Sequence, residues 1–392
     1  MDRSNLPFIP AYEDRDDEID DEIFFLLSAI DSSDDDENTK MPQRNLPLRG
    51  AMYITYMLNS HPVPCFHMFC MEPPDFIALC FELKERQFIK STRNLHVEES
   101  VAIFLLLTGH SQGQRIAANR FQHSTKTINR HYNKVLRALG HLAKVYIKVR
   151  HRTGVHPHVQ GNPKYPWFKD CIGAVDETHI KAEHQRLFRG RKNECTHNIM
   201  EGTANDGRIF KDAVTTDQGF EWPTDGHYYV ADSAYSCMRG FLPPYKGERY
   251  HLSHFCNRPL PRGYKELFNF RHSSLRMMIE NCFSRLKRRW RILYDMPKYF
   301  LTRQPGIIMA CCTLHNFIRT RNPNDQIFNG TDAVEPGMSE QPYAYGNNDE
   351  AGPSHSGQYD FSSAASDEMR NLREGIAHAM WDNAHGNEDG DN

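Results

Sequence analysis

Three acidic residues in this 392-residue chain sit where the surrounding text could put a carboxylate to chemical use. Asp176 closes the apolar run Cys171-Ile172-Gly173-Ala174-Val175, and Asp232 closes Tyr228-Tyr229-Val230-Ala231. Short continuous apolar runs of this kind read as buried strands, so each acid stands at a strand's carboxyl end. Ligand sites in open α/β sheets form at such ends. The third acid, Glu280, lies in a helical pattern that starts at Ser273 or Ser274. Its apolar stripe is Leu275, Ile279, Cys282, Leu286, Trp290 and Leu293. Glu280 falls about 140° from Leu275, off that stripe, and Arg276, Lys287 and Arg291 fall within about 40° of it. Carboxylates are hard oxygen ligands suited to Mg²⁺ or Mn²⁺. A metal pair bridged by them activates water and stabilises the leaving oxygen in phosphodiester cleavage, and the neighbouring bases suit a phosphate backbone. Taken alone, Arg276 and Glu280 also read as an i, i+4 ion pair on a solvated face.

The elements that must position these acids follow from the text on either side. From about Tyr165 to Arg321, short apolar runs alternate with helical patterns, the signature of an α/β region. Ahead of it, three helices are expected. Val101 to Leu107 is a buried helix stopped by Gly109, and Ile116, Ala117 and Phe121 mark a second. Ser124 caps a third, in which Ile128, His131, Tyr132, Val135, Leu136 and Leu139 recur at helical spacing. That third helix carries Lys126, Asn129, Arg130, Lys134 and Arg137. The trio reads as a helix-turn-helix-like unit whose Lys126, Asn129 and Arg130 would touch DNA, or equally as a small helical subdomain with a solvated basic face.

Charge is segregated along the chain. Residues 1–40 hold 14 acids and three bases, and residues 322–392 hold 14 acids and two bases; the overall net of -3 therefore leaves +20 on residues 41–321. A basic body between acidic ends points to a polyanionic partner, nucleic acid above all. The organisation expected is an acidic disordered arm over 1–44, a helical domain over 45–150, a nuclease-like α/β domain over 165–321, and an acidic disordered tail over 322–392. One short helix, marked by Met369, Leu372, Ile376 and Met380, is expected in that tail. No run approaches the length of a membrane span. The ten cysteines lack the regular spacing of a disulfide framework. His251, His254 and Cys256 lack the paired spacing of a zinc site and read as surface residues. Arg189-Gly190-Arg191-Lys192 reads as a phosphate-facing loop, Cys311-Cys312 as part of a packed helix, and Lys287-Arg288-Arg289 as a candidate nuclear-import patch.

Several long stretches carry a family resemblance: CIGAVDETHI, EGTANDGRIFKDAV, YYVADSAYSCMRGFLPPYKGERYHL, KELFNFRHSSLRMMIENCFSRLKRRWRIL and ACCTLHNFIR. Together they resemble the DDE-type endonuclease domain of PIF/Harbinger transposases and of the nucleases derived from them. The text VEESVAIFLLLTGHSQGQRIAANRFQHSTKTINRHYNKVLRAL is similar to the family's helix-turn-helix segment. The resemblance implies an RNase H-like fold, a divalent-metal triad of Asp176, Asp232 and Glu280, and an auxiliary acid at Asp206. It also implies nuclear location, DNA as substrate, and a separate Myb-like protein or chromatin complex as partner. One departure accompanies it. After Met200 the chain passes directly to EGTAND, so the strand-turn-strand text of the fold's second and third strands is missing there. Relatives similar to the plant antagonist of like-heterochromatin protein use the same body for regulation, and a non-enzymatic DNA-binding or chromatin factor is the alternative expectation.

Overall fold

The computed structural model describes residues 44–147, 155–181, 196–198, 223–250, 261–329 and 363–385, except positions 94, 157, 158, 177, 225, 234, 298, 301 and 302. Outside them lie most of the expected acidic arm, Asp206, the Arg189–Lys192 loop, His251, His254, Cys256 and the text after Met200 where the missing hairpin was read.

Six helices open the described chain: α1 (Gly50–Asn59), α2 (Pro62–Phe69), α3 (Pro73–Glu85), α4 (Val97–His110), α5 (Gln114–Phe121) and α6 (Thr125–Tyr146). Helix α4 is apolar nearly all round, and Val101 to Leu107 are buried on every side, as suits a central helix. It does not stop at Gly109, as the sequence suggests. It ends at Ser111, whose φ of 53° makes the left-handed cap. Gly109 serves packing instead, since a β-carbon there would lie 2.4 Å from the Cys70 sulfur. Helices α5 and α6 are joined by a three-residue turn. Ser124 caps α6 by accepting a hydrogen bond from the Thr127 backbone N–H at 3.1 Å. Ala117 and Phe121 of α5 turn inward, whereas Ile116 is exposed.

The sheet is small. Strand β1 (Cys171–Ala174) pairs in parallel with β4 (Tyr228–Val230), which pairs in parallel with β5 (Phe241–Leu242). Between β1 and β4 in sequence, β2 (His179–Lys181) and β3 (Thr196–Asn198) form a separate antiparallel pair. The segment that leaves β1 thus changes from parallel to antiparallel partners within a few residues, and Asp176 stands at that change. The long helix α7 (Tyr264–Arg289) follows, then α8 (Gln304–Arg321), α9 (Gln326–Asn329) and α10 (Ser363–His385).

Helix α7 begins nine or ten residues before the expected start at Ser273 or Ser274. Pro261-Arg262-Gly263 breaks the chain ahead of it, and the acid Glu266 occupies its first turn, where the helix dipole favours negative charge. The helix is shared by two hydrophobic cores. Phe268 and Leu275 pack with Cys171, Tyr228, Val230 and the α10 residues Met369, Ile376 and Met380. Leu286 and the following Trp290 pack instead with α4, α6 and α8. Helix α8 therefore completes the core of the N-terminal helices, although its sequence falls in the stretch read as the nuclease domain. Helix α10 is longer than the expected short tail helix and lies on the α/β body. Tyr264 stacks on His378 with ring centroids 4.2 Å apart, and Arg373 donates to the carbonyls of Pro243 and Pro244. Among the described residues no helix is long and apolar enough to cross a membrane.

Burial pushes His272 and His315 from the ordinary 6.5 down to about 3, so both are neutral in the folded protein. The unfolded imidazoles take up protons near pH 6.5 while the folded ones resist until about pH 3. The stability tied to their neutral forms is therefore complete above pH 6.5 and is lost as the pH falls toward 3. The expected outcome is a urea midpoint that drops steadily from pH 6.5 to 4, with a shallower drop in His315→Gln; urea titrations followed by circular dichroism at several pH values check this.

Candidate metal-dependent active site

The parallel pairing of β1 and β4 brings the two aspartates together. Ala174 is in register with Val230, and the Val175 N–H donates to the Val230 carbonyl at 2.9 Å. Asp176 and Asp232 each lie two residues past these strand ends, so they emerge side by side at one edge of the sheet. Helix α7 crosses that edge and supplies the third acid, Glu280.

All three carboxylates converge on one guanidinium. Arg276 Nη2 lies 2.7 Å from Asp176 Oδ2 and 3.3 Å from Glu280 Oε1, and Nη1 lies 3.4 Å from Asp232 Oδ1. Asp176 and Glu280 share one nitrogen, so their oxygens can be no farther apart than those two bonds laid end to end. The arginine is buried at 5% exposure, while the acid side chains grade outward from 12% exposed at Asp176 through 26% at Asp232 to 53% at Glu280. Nη1 also donates to the Tyr250 hydroxyl at 3.1 Å. Burial works against the positive charge, but Tyr250, Asp176, Asp232 and Glu280 more than offset it, and the pKa of Arg276 is raised well above its ordinary value. Burial likewise raises the Tyr250 phenol, although Arg276 opposes that shift.

A second layer fixes α7 against the sheet. His272 Nε2 is 2.8 Å from the Leu242 carbonyl; a carbonyl only accepts, so Nε2 carries the imidazole proton. Asn269 accepts from the Tyr245 N–H at 2.8 Å and donates to the carbonyls of Tyr245 and Arg249. The far end of the helix is pinned by a fully buried ion pair between Arg289 and Asp325, with Arg289 also donating to the Cys70 carbonyl at 2.6 Å. Sequence reading missed Tyr250, Asn269 and His272. The last two were legible in principle, since they lie one helical turn apart ahead of Arg276, but only with the helix begun at Gly263.

The expected DNA contacts fall into different settings. Lys126 and Arg130 are exposed on the first turns of α6. Asn129 is buried and accepts from the Gln114 side chain of α5 at 3.2 Å. It joins the two helices, which removes it from the surface. Arg276 faces the acids inside the protein, so the expected i, i+4 pair with Glu280 is present while its arginine is not solvated. Lys287 is buried, and Arg291 is exposed but stands past the end of α7, in a short 3₁₀ turn. Of the run Lys287-Arg288-Arg289 only Arg288 is exposed. The physical reason is that this end of α7 packs against α8 and α9 and is tied to the Cys70 carbonyl through Arg289, a burial that a periodicity read from one helix does not show.

The donor set is chemically suited to a hard divalent ion, being made of carboxylate oxygens alone. Among the described residues no group of three or more ligating side chains is arranged around a metal position; the guanidinium of Arg276 stands between the three acids. Because Glu280 meets Arg276 at the solvent rim, Glu280→Gln should cost less than about 1 kcal/mol of stability. Asp176→Asn, which breaks the most buried of the three pairs, should cost toward about 3 kcal/mol. Urea unfolding of both variants checks the order.

Comparison with known proteins adds ancestry to this geometry. Residues 192–316 match the DDE superfamily endonuclease model, a stretch that contains Asp232 and Glu280 but begins after Asp176. Residues 45–141 match a domain family of unknown function, DUF8040. Over 94 residues the chain is 35% identical to "Protein ALP1-like" of Arabidopsis thaliana, which covers 23% of this chain and 20% of that protein. The chain thus spans about a fifth of the length of this curated relative. No solved structure matches. Residues 192–316 are thus similar to the DDE superfamily endonucleases, and the match to the ALP1-like protein supports a Harbinger-derived ancestry for that stretch.

Proposed function

We propose that the chain is a Harbinger transposase-derived, metal-dependent DNA endonuclease that hydrolyses or transfers phosphodiester bonds at Asp176, Asp232 and Glu280. The observation that carries this reading is the meeting of three acids, far apart in sequence, on a single cation at the carboxyl edge of a parallel sheet. An RNase H-like body fits the parallel β1-β4-β5 order crossed by α7. DDE superfamily endonucleases generally use divalent metals, and here Asp176, Asp232 and Glu280 are the residues that would hold one. When bound, such an ion polarises the phosphate and lowers the pKa of the attacking water.

The chain's own residues do the rest. The sheet fixes Asp176 and Asp232 in register, α7 sets Glu280 at the rim, and Tyr250, Asn269 and His272 hold that helix in place. Lys126 and Arg130 on α6 would carry backbone phosphates, in keeping with the +20 body. DNA as substrate, the nucleus as location, and a Myb-like protein or chromatin complex as partner belong to the same reading, with the acidic ends as docking sites.

A second reading is favoured by one observation: Arg276 already satisfies the acids. On that reading the body is a catalytically silent DNA- or chromatin-binding factor. Nicking of supercoiled DNA by the purified protein in Mg²⁺ or Mn²⁺ separates the two. The enzyme reading expects Asp232→Ala to slow nicking by at least about a hundredfold; equal nicking by both proteins removes the triad from the mechanism, and none by either favours the silent factor. In both readings DNA affinity should fall steeply with salt as counterions are released. A flat dependence between 50 and 200 mM salt, on the order of the range used for such slopes, would exclude DNA as the partner.

A further inference from the structure

We infer that Arg276 is a positioning residue that keeps the three carboxylates assembled before a divalent ion binds, and that guanidinium and ion exclude each other at this site. The inference rests on reading the triad as a metal site, and it assigns the arginine a role that reading leaves open.

Four observations converge. The guanidinium contacts all three acids at 2.7 to 3.4 Å, so it occupies the point an ion would share. It is nearly buried, which makes it a built part of the site; three carboxylates brought together without a cation would repel one another at close range. Arg276 lies one helical turn from Glu280 on α7, and that helix is fixed at both ends, by His272 and Asn269 near the sheet and by Arg289 with Asp325 at the far end. Release of the acids is therefore a movement of the arginine side chain on a stationary helix. The Tyr250 hydroxyl, already bound to Nη1 at 3.1 Å, is a partner the guanidinium can keep as it withdraws.

Mutual exclusion has a measurable sign, because removing one competitor must strengthen the other. The full chain, Arg276→Gln, Arg276→Lys and Asp232→Asn are compared by calorimetric titration with MnCl₂ and by thermal melts in EDTA and in Mn²⁺. Arg276→Gln should bind Mn²⁺ at least about tenfold more tightly than the parent. It should melt lower than the parent in EDTA and recover most of that loss in Mn²⁺, since the ion then gathers the acids. Arg276→Lys keeps the charge without the fork and should fall between them. A merely structural arginine predicts equal losses with and without the ion. The inference is overturned if Arg276→Gln binds Mn²⁺ no more tightly than the parent, or stays unfolded in saturating Mn²⁺. If the parent binds Mn²⁺ and Asp232→Asn does not, the metal-site reading survives that failure. If neither the parent nor Arg276→Gln binds the ion, both fall.

Discussion

The desolvated guanidinium of Arg276 is the constraint around which the α/β body is arranged. A charged group at 5% exposure costs more than the fold can lose unless negative groups surround it. Meeting that demand requires two strand ends in register, a helix crossing them at the right height, and a phenol from the loop after β5. Each of these is a separate stretch of chain, and Arg276 gives all of them the same destination. The groups that satisfy the buried charge are the same three carboxylates to which the proposed phosphodiester chemistry is assigned.

Helix α7 extends this constraint beyond the sheet. Its first half belongs to the core with β1, β4 and α10, and its end to the core with α4, α6 and α8. A helix with a single apolar face would suit one core; this one buries Phe268 and Leu275 in one and Leu286 in the other. Arg289 with Asp325 closes the second end, and the pair is screened by the rings of Phe66 and Phe328. The N-terminal helices are thus more than an appended module, because they fix the helix that carries Glu280.

How much of this the sequence reveals depends on whether the signal is local. The strands that lead to Asp176 and Asp232 were legible because continuous apolar runs stop at an acid, although each strand itself ends two residues earlier. The capping of α6 by Ser124 was legible because the hydroxyl acts within three residues. Gly109 misled, because a glycine that ends a helix and one that admits a neighbouring cysteine look alike in text. Asn129 and Lys287 misled for a related reason: they are polar residues at basic helical positions, and only packing against α5 for the first and α8 and α9 for the second shows which side of the helix is covered. Arg276 was read correctly in its pairing with Glu280 and placed on the wrong side of the surface, since its other two acids are 44 and 100 residues away in the chain.

Helix α10 reaches its place on the body only after the 33 residues from 330 to 362. Met369, Ile376 and Met380 join the core that Phe268 and Leu275 share, so the helix is held by its own apolar face and not by its nearness in sequence to the rest of the body. Its seat, lined by Phe268, Leu275 and Tyr264, is thus filled from within the chain, and that face of the body is closed while α10 lies on it.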